Sequence, residues 1–173
     1  VSGRWHSYGL LDEQANRLAR LLVSSGLRRG DRVALLLENS AEYVITYYAI
    51  LKASGITVAL NTENTAEDVA YIITDCGVRL LVTSPRLFAK VSKPAGGAAP
   101  GVLLWSAAAP MSSDGASPAP VLLPEAFAGE KAVPPAVRGI DLDVASIVYT
   151  SGSTGKPRGA TLSHLNIVSN TRS

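Results

Sequence analysis

The stretch Arg32-Val33-Ala34-Leu35-Leu36-Leu37-Glu38-Asn39-Ser40-Ala41-Glu42-Tyr43 decides the fold. Its first half is a nearly continuous apolar run of strand length, the pattern of a strand covered on both faces. Its second half opens a helix, because Asn39 is followed three residues later by Glu42, a capping-box spacing. That helix is expected from Ala41 to Ser54 with a stop at Gly55, and Ile56 to Leu60 reads as a second buried strand. Upstream, Leu11, Ala15, Leu18 and Leu22 fall on one face of a 3.6-residue period. They mark a helix from Asp12 to Ser25, ended by Gly26, where a left-handed residue costs glycine little. Downstream, Thr65 and Asp68 form another capping-box pair, opening a helix that runs to about Asp75 and stops at Gly77. Arg79 to Thr83 is a third strand, and Ser84-Pro85 starts a short helix. Strands that alternate with helices pair in parallel through right-handed crossovers. The expected fold is α/β: a mostly parallel sheet with strands near Arg32, Ile56, Arg79, Val102 and Ile147, flanked by helices on both faces.

Composition sets the outer bounds. The chain has 173 residues, 47% hydrophobic and 17% charged, enough apolar content for a real core and too little charge for a disordered polyelectrolyte. A net charge of +2, evenly spread, gives no field for nucleic acid or an anionic membrane. The single cysteine, Cys76, excludes an intrachain disulfide and a thiolate zinc site, and points to a reducing, cytoplasmic compartment. No apolar run approaches the ~20 residues of a membrane span. Val1-Ser2-Gly3-Arg4-Trp5-His6 lacks the apolar core of a signal peptide. Between Lys93 and Pro135 the character changes: eight of the ten prolines lie there, among alanine, glycine and serine. Within this irregular segment Val102 to Trp105 reads as a strand and Ser106 to Pro120 as a surface loop. Regular structure resumes at Ile140, with a strand from Ile147 to Thr150 and a helix beginning at His164.

The chemistry sits in Tyr149-Thr150-Ser151-Gly152-Ser153-Thr154-Gly155-Lys156-Pro157-Arg158-Gly159. A buried strand runs into six small hydroxyl or glycine residues and then two cations. Glycines let backbone approach a ligand closely, and consecutive N–H groups and hydroxyls wrap an anion. Lys156 and Arg158 add positive charge, so the pattern fits the polyphosphate of a nucleotide. It is not a Walker A loop, because Thr150 stands where that motif needs glycine and Pro157 follows the lysine.

These eleven residues resemble the signature of the adenylate-forming, or AMP-binding, enzymes: acyl- and aryl-CoA synthetases, adenylation domains of nonribosomal peptide synthetases, and luciferases. The continuation Ala160-Thr161-Leu162-Ser163-His164-Leu165-Asn166 is similar to the family's own. So are Leu11 to Ala19, Gly30-Asp31-Arg32-Val33-Ala34 and Leu51-Lys52-Ala53-Ser54-Gly55, in the right order. The resemblance implies a domain spanning 1–173 that is the N-terminal portion of the large domain of such an enzyme, without the small C-terminal domain. It implies a two-step reaction. A carboxylate attacks the α-phosphate of Mg-ATP, releasing pyrophosphate, and a thiol of CoA or of a carrier pantetheine then takes the acyl group. Carried over, Thr150, Ser151, Ser153 and Thr154 supply hydroxyls to the β- and γ-phosphates, and Gly152 and Gly155 allow close approach. Lys156 adds supporting charge, and Arg158 stands where the family usually has lysine, a planar fork in place of a point ammonium.

The family's Tyr-Gly-x-Thr-Glu segment, which carries the magnesium-associated glutamate, does not occur, nor do the ribose-binding aspartate and the C-terminal lysine. The isolated chain is therefore expected to be inactive in adenylation and, with apolar surface uncovered, prone to self-association. An acyl-CoA ligase is the first reading, because Ala59-Leu60-Asn61-Thr62-Glu63-Asn64 lacks the Asp-Pro…Tyr-Pro run common in peptide-synthetase domains. The alternatives are such a peptide-synthetase domain, or a non-catalytic nucleotide-binding module.

Other residues carry blander expectations. His6 reads as a surface histidine, His164 as a structural residue near the loop, and Cys76 as a half-buried hydrophobe at a helix end. Asp114, Asp141 and Asp143 have no metal-ligand spacing. Tyr43, Tyr47 and Tyr48 are expected to pack, and Arg28, Arg29 and Arg32 to be solvated at a turn.

Overall fold

Arg32–Leu36 form β1, and alternate side chains leave it toward opposite faces of the sheet. Val33 and Leu35 enter one core cluster, Ala34 and Leu36 the other, and all four are fully buried. This two-sided burial is why the strand reads as an unbroken apolar run. The computed structural model describes residues 5–91, 100–106, 120–137, 139–150 and 157–172. The order is α1 (Tyr8–Ser24), β1, α2 (Ala41–Lys52), β2 (Ile56–Ala59), α3 (Ala66–Asp75), β3 (Val78–Thr83), α4 (Pro85–Phe88) and β4 (Gly101–Trp105). There follow β5 (Val121–Leu123), a 3-10 turn (Glu125–Phe127), β6 (Val144–Thr150), β7 (Arg158–Ser163) and α5 (His164–Arg172).

The strands form one seven-stranded sheet in the order β5-β4-β3-β1-β2-β6-β7. Every pair is parallel except β6–β7, which is antiparallel. α1 and α2 cover one face, with Leu18, Leu22, Ala49 and Ile50 over Val33 and Val82. α3 and α4 cover the other, with Val69, Ile72 and Leu87 over Ala34, Val58 and Leu81. Each of the buried valine, leucine and isoleucine side chains among them contributes about 1.5–3 kcal/mol by leaving water. β1 leads into α2 on the first face, while its neighbour β3 leads into α4 on the second. Connections thus diverge at the carboxyl edge of the sheet, the edge where open α/β sheets bind ligands. β6 runs parallel to β2, so it too ends at that edge.

Local signals place the elements with informative exceptions. Thr65 and Asp68 close a reciprocal capping box, as expected. α1 starts a turn earlier than Asp12, because the Ser7 hydroxyl accepts from the Leu10 N–H at 3.2 Å. Gly26 (φ 86°) ends it: its N–H bonds to the Val23 carbonyl, and the Leu27 N–H to the Leu22 carbonyl. The cap of α2 is Ser40, not Asn39, and its hydroxyl accepts from the Tyr43 N–H. The left-handed residue that ends α2 is Ser54 (φ 58°), not Gly55. Gly55 is needed for space, since a Cβ there would sit 3.0 Å from the Ile50 Cγ2 and 3.2 Å from the Leu27 Cδ2. Neither β5 nor β7 is among the strands expected from the sequence. The stretch Ser106 to Pro120, expected as a loop, lies outside the described residues at 107–119.

Candidate functional site

Three side chains build the stem of the β6–β7 hairpin. Antiparallel pairing sets Tyr149 opposite Gly159 and Thr150 opposite Arg158, the last pair before the turn. Directly opposed residues share a face, so Thr150 and Arg158 stand together at the mouth, and both are exposed. Ser151, Gly152, Ser153, Thr154, Gly155 and Lys156 lie outside the described residues. Among the sequence-predicted phosphate ligands, then, the fold brings Thr150 and Arg158 side by side at the carboxyl edge.

Tyr149 points the other way, with Ile147, toward the α3 face. Its hydroxyl donates to the Asp75 carboxylate at 2.6 Å. Burial lifts the phenol far above its ordinary pKa and the Asp75 hydrogen bond pushes the same way, so the group stays a donor. Across the hairpin there is no room for a side chain at Gly159. A Cβ there would meet the Ile147 Cγ2 at 2.9 Å and the Tyr149 ring at 3.1 Å. The last glycine of the signature is thus a packing requirement. Sequence reasoning missed this, although an aromatic residue ten positions before a glycine, across a run of small and polar residues, is the signal for it.

The surrounding groups hold the stem rather than react. The Cys76 thiol, pushed up by burial, donates to the Ile72 carbonyl at 3.0 Å. Arg32 is not merely solvated, because it donates to the Cys76 and Gly77 carbonyls at 2.6 and 2.8 Å and closes the C-terminal end of α3. Arg29 pairs with Asp143, whose carboxyl that hydrogen bond holds below the usual range. Ser163 caps α5, its hydroxyl accepting from the Asn166 N–H at 3.1 Å, and the His164 N–H donates to the Asp143 carbonyl. His6 is exposed, and Tyr43 and Tyr47 pack against the core while Tyr48 faces solvent.

A separate cavity of about 390 Å³ opens at the carboxyl ends of β1, β3, β4 and β5, lined by Leu37, Glu38, Glu42, Ser84, Trp105 and Pro124. Burial alone would raise the Glu38 pKa, but hydrogen bonds from its backbone and Ser84, with the charge of Arg86, hold it below its ordinary value. Two carboxylates make this cavity a poor seat for a polyphosphate. Among the described residues no group of three His, Cys, Asp or Glu converges as a metal site, and no helix is long and apolar enough to cross a membrane.

The model of the AMP-binding enzyme family matches residues 1–173. The chain belongs to the AMP-binding enzyme family. Among its AMP-binding relatives, Gramicidin S synthase 2 of Brevibacillus brevis is 33% identical over 162 residues, which are 94% of this chain and 3% of that protein. Crotonobetaine/carnitine–CoA ligase of Salmonella typhimurium is 33% identical over 167 residues, 95% of this chain and 32% of that protein. The crystal structure of ATP-bound MatB from Rhodopseudomonas palustris superposes with a TM-score of 0.78 at 33% identity, over 99% of this chain and 32% of MatB. The chain thus spans about a third, or far less, of the length of these relatives. The α/β fold with its mostly parallel sheet is that of the AMP-binding family.

Proposed function

We propose that this chain supplies the triphosphate-binding part of an enzyme that activates a carboxylic acid with Mg-ATP and passes the acyl group to the thiol of CoA. The observation that carries it is the β6–β7 stem, with Thr150 and Arg158 paired at the carboxyl edge and flanking Ser151 to Lys156 in the sequence, in a chain matched over its whole length by the AMP-binding family. Arg158 offers a fixed guanidinium fork suited to two phosphate oxygens. Thr150, Ser151, Ser153 and Thr154 supply hydroxyls, Gly152 and Gly155 backbone access, and Lys156 further charge. Mg²⁺ would be carried by the triphosphate and spread its charge during attack on the α-phosphorus. The acid and thiol sites, and the magnesium carboxylate, belong to further residues of a longer protein, so this chain alone is inactive in adenylation.

A second reading is an adenylation domain of a nonribosomal peptide synthetase, with carrier pantetheine as acceptor; Gramicidin S synthase 2 matches at the same 33% identity as the CoA ligase. The absent Asp-Pro…Tyr-Pro run after Ala59 favours CoA. The test is ATP–pyrophosphate exchange by the full-length protein across an acid panel, followed by acyl transfer to CoA or to a pantetheinylated carrier. Acid-dependent exchange with transfer to CoA supports the proposal. Transfer to the carrier alone moves the assignment to the second reading, and no exchange with any acid removes both.

A further inference from the structure

β7 is a weakly specified strand. Arg158-Gly159-Ala160-Thr161-Leu162-Ser163 is small and polar, five of its six residues are exposed, and among the described residues it pairs only with β6. Such strands slip, and a slip of one residue turns every side chain to the opposite face. Here that would carry Arg158 away from Thr150. Something must therefore fix the register beyond the ladder itself, and a lock is visible on the α3 face. Gly159 is the one glycine in β7, and the Tyr149 ring lies over it where a Cβ would come within 3.1 Å. Neither Arg158 nor Ala160 has that gap to offer. The ring is in turn anchored by its hydroxyl to Asp75 at 2.6 Å, the last residue of α3. α3 is fixed to the body of the protein by buried Val69, Ile72 and Ile73.

We propose that Tyr149, tied to Asp75 and laid over Gly159, is a positioning residue that sets the β6–β7 register and so holds Thr150 and Arg158 at the two sides of the triphosphate loop. The proposal rests on the reading of 150–158 as a triphosphate site, and it adds a chain of contact from that site through Tyr149 to α3. The other face of the hairpin does not perform this task, since Val148 and Leu162 there are each 38% exposed.

The test uses the full-length protein carrying Tyr149→Phe, Asp75→Ala or both. Tyr149→Phe keeps the ring and removes only the hydroxyl, and Asp75→Ala alters an exposed residue, so both are expected to fold. Amide hydrogen exchange is followed across 158–163, with 33–36 as internal control. Affinity for inorganic tripolyphosphate is measured by calorimetry well below the thermal transition. Each single variant is expected to speed exchange in β7 about tenfold and to weaken tripolyphosphate about three- to tenfold, with β1 unchanged. The double variant should be no worse than either single one, because both remove the same bond. Unchanged β7 exchange, or faster exchange with unaltered affinity, would overturn the positioning role while leaving the triphosphate site standing. Wild-type full-length protein that takes up no tripolyphosphate at all would instead overturn the triphosphate reading, and the positioning role with it.

Discussion

Gly159→Ala probes the hairpin stem most sharply. The backbone at Gly159 lies outside the left-handed region, so only space decides the outcome. The new methyl would sit 2.9 Å from the Ile147 Cγ2, and 3.1 and 3.3 Å from the Cζ and Cε2 of Tyr149. Contacts this short force neighbours to move, at a cost of about 1–3 kcal/mol. Against that, alanine loses less freedom on folding than glycine, by about 0.4–1 kcal/mol. The balance is a destabilisation of about 1–2 kcal/mol. Urea unfolding measures it, and a Tyr149→Ala background apportions it. With the ring gone, only the Ile147 contact remains, and the penalty for alanine should fall by roughly half. Equal or greater stability of the Gly159→Ala chain, or a penalty unchanged without Tyr149, would refute the claim that Gly159 exists to receive that ring.

Two further outcomes follow from the described contacts. Thr65→Ala removes the capping hydroxyl of α3 and half of its reciprocal box; it should cost about 1 kcal/mol, read as a drop of roughly 2–4 °C in Tm. The hydrogen bond from Lys52 holds the Asp12 carboxyl below its usual pKa, overcoming the opposing effect of burial. A depressed folded pKa gives stability that is present above the unfolded value of about 3.9 and lost as pH falls through the folded value. Wild-type chain should therefore exceed Asp12→Asn in urea stability at neutral pH, with the difference shrinking as pH falls below the ordinary carboxylate range; a difference that persists undiminished in acid would contradict the pairing.

Much of the fold is legible in the sequence because its determinants are local. The capping box at Thr65 and Asp68 and the stop at Gly26 depend on residues within one turn, and β1 shows its two-sided burial as an unbroken apolar run. The misreadings have physical causes. Asn39 and Ser40 are both good caps, and it is the Ser40 hydroxyl that meets the Tyr43 N–H. Gly55 looks like the left-handed stop of α2, yet Ser54 takes that conformation, and Gly55 yields space to Leu27 and Ile50. β5 is three residues long among prolines, with Phe127 buried just after it. β7 has too little apolar alternation to announce a strand. At the site, residue types pointed to phosphate chemistry. The pairing of Thr150 with Arg158, and the Tyr149–Gly159–Asp75 arrangement, needed the register, which couples residues up to seventy-four positions apart.

The position of Mg-ATP in a structure of its complex with the full-length protein tests most directly where a triphosphate binds. The β- and γ-phosphates should lie between Thr150 and Arg158, with the Arg158 guanidinium within hydrogen-bonding distance of phosphate oxygens. A triphosphate seated elsewhere, for instance in the Glu38- and Glu42-lined cavity, with the β6–β7 mouth untouched, would contradict that placement.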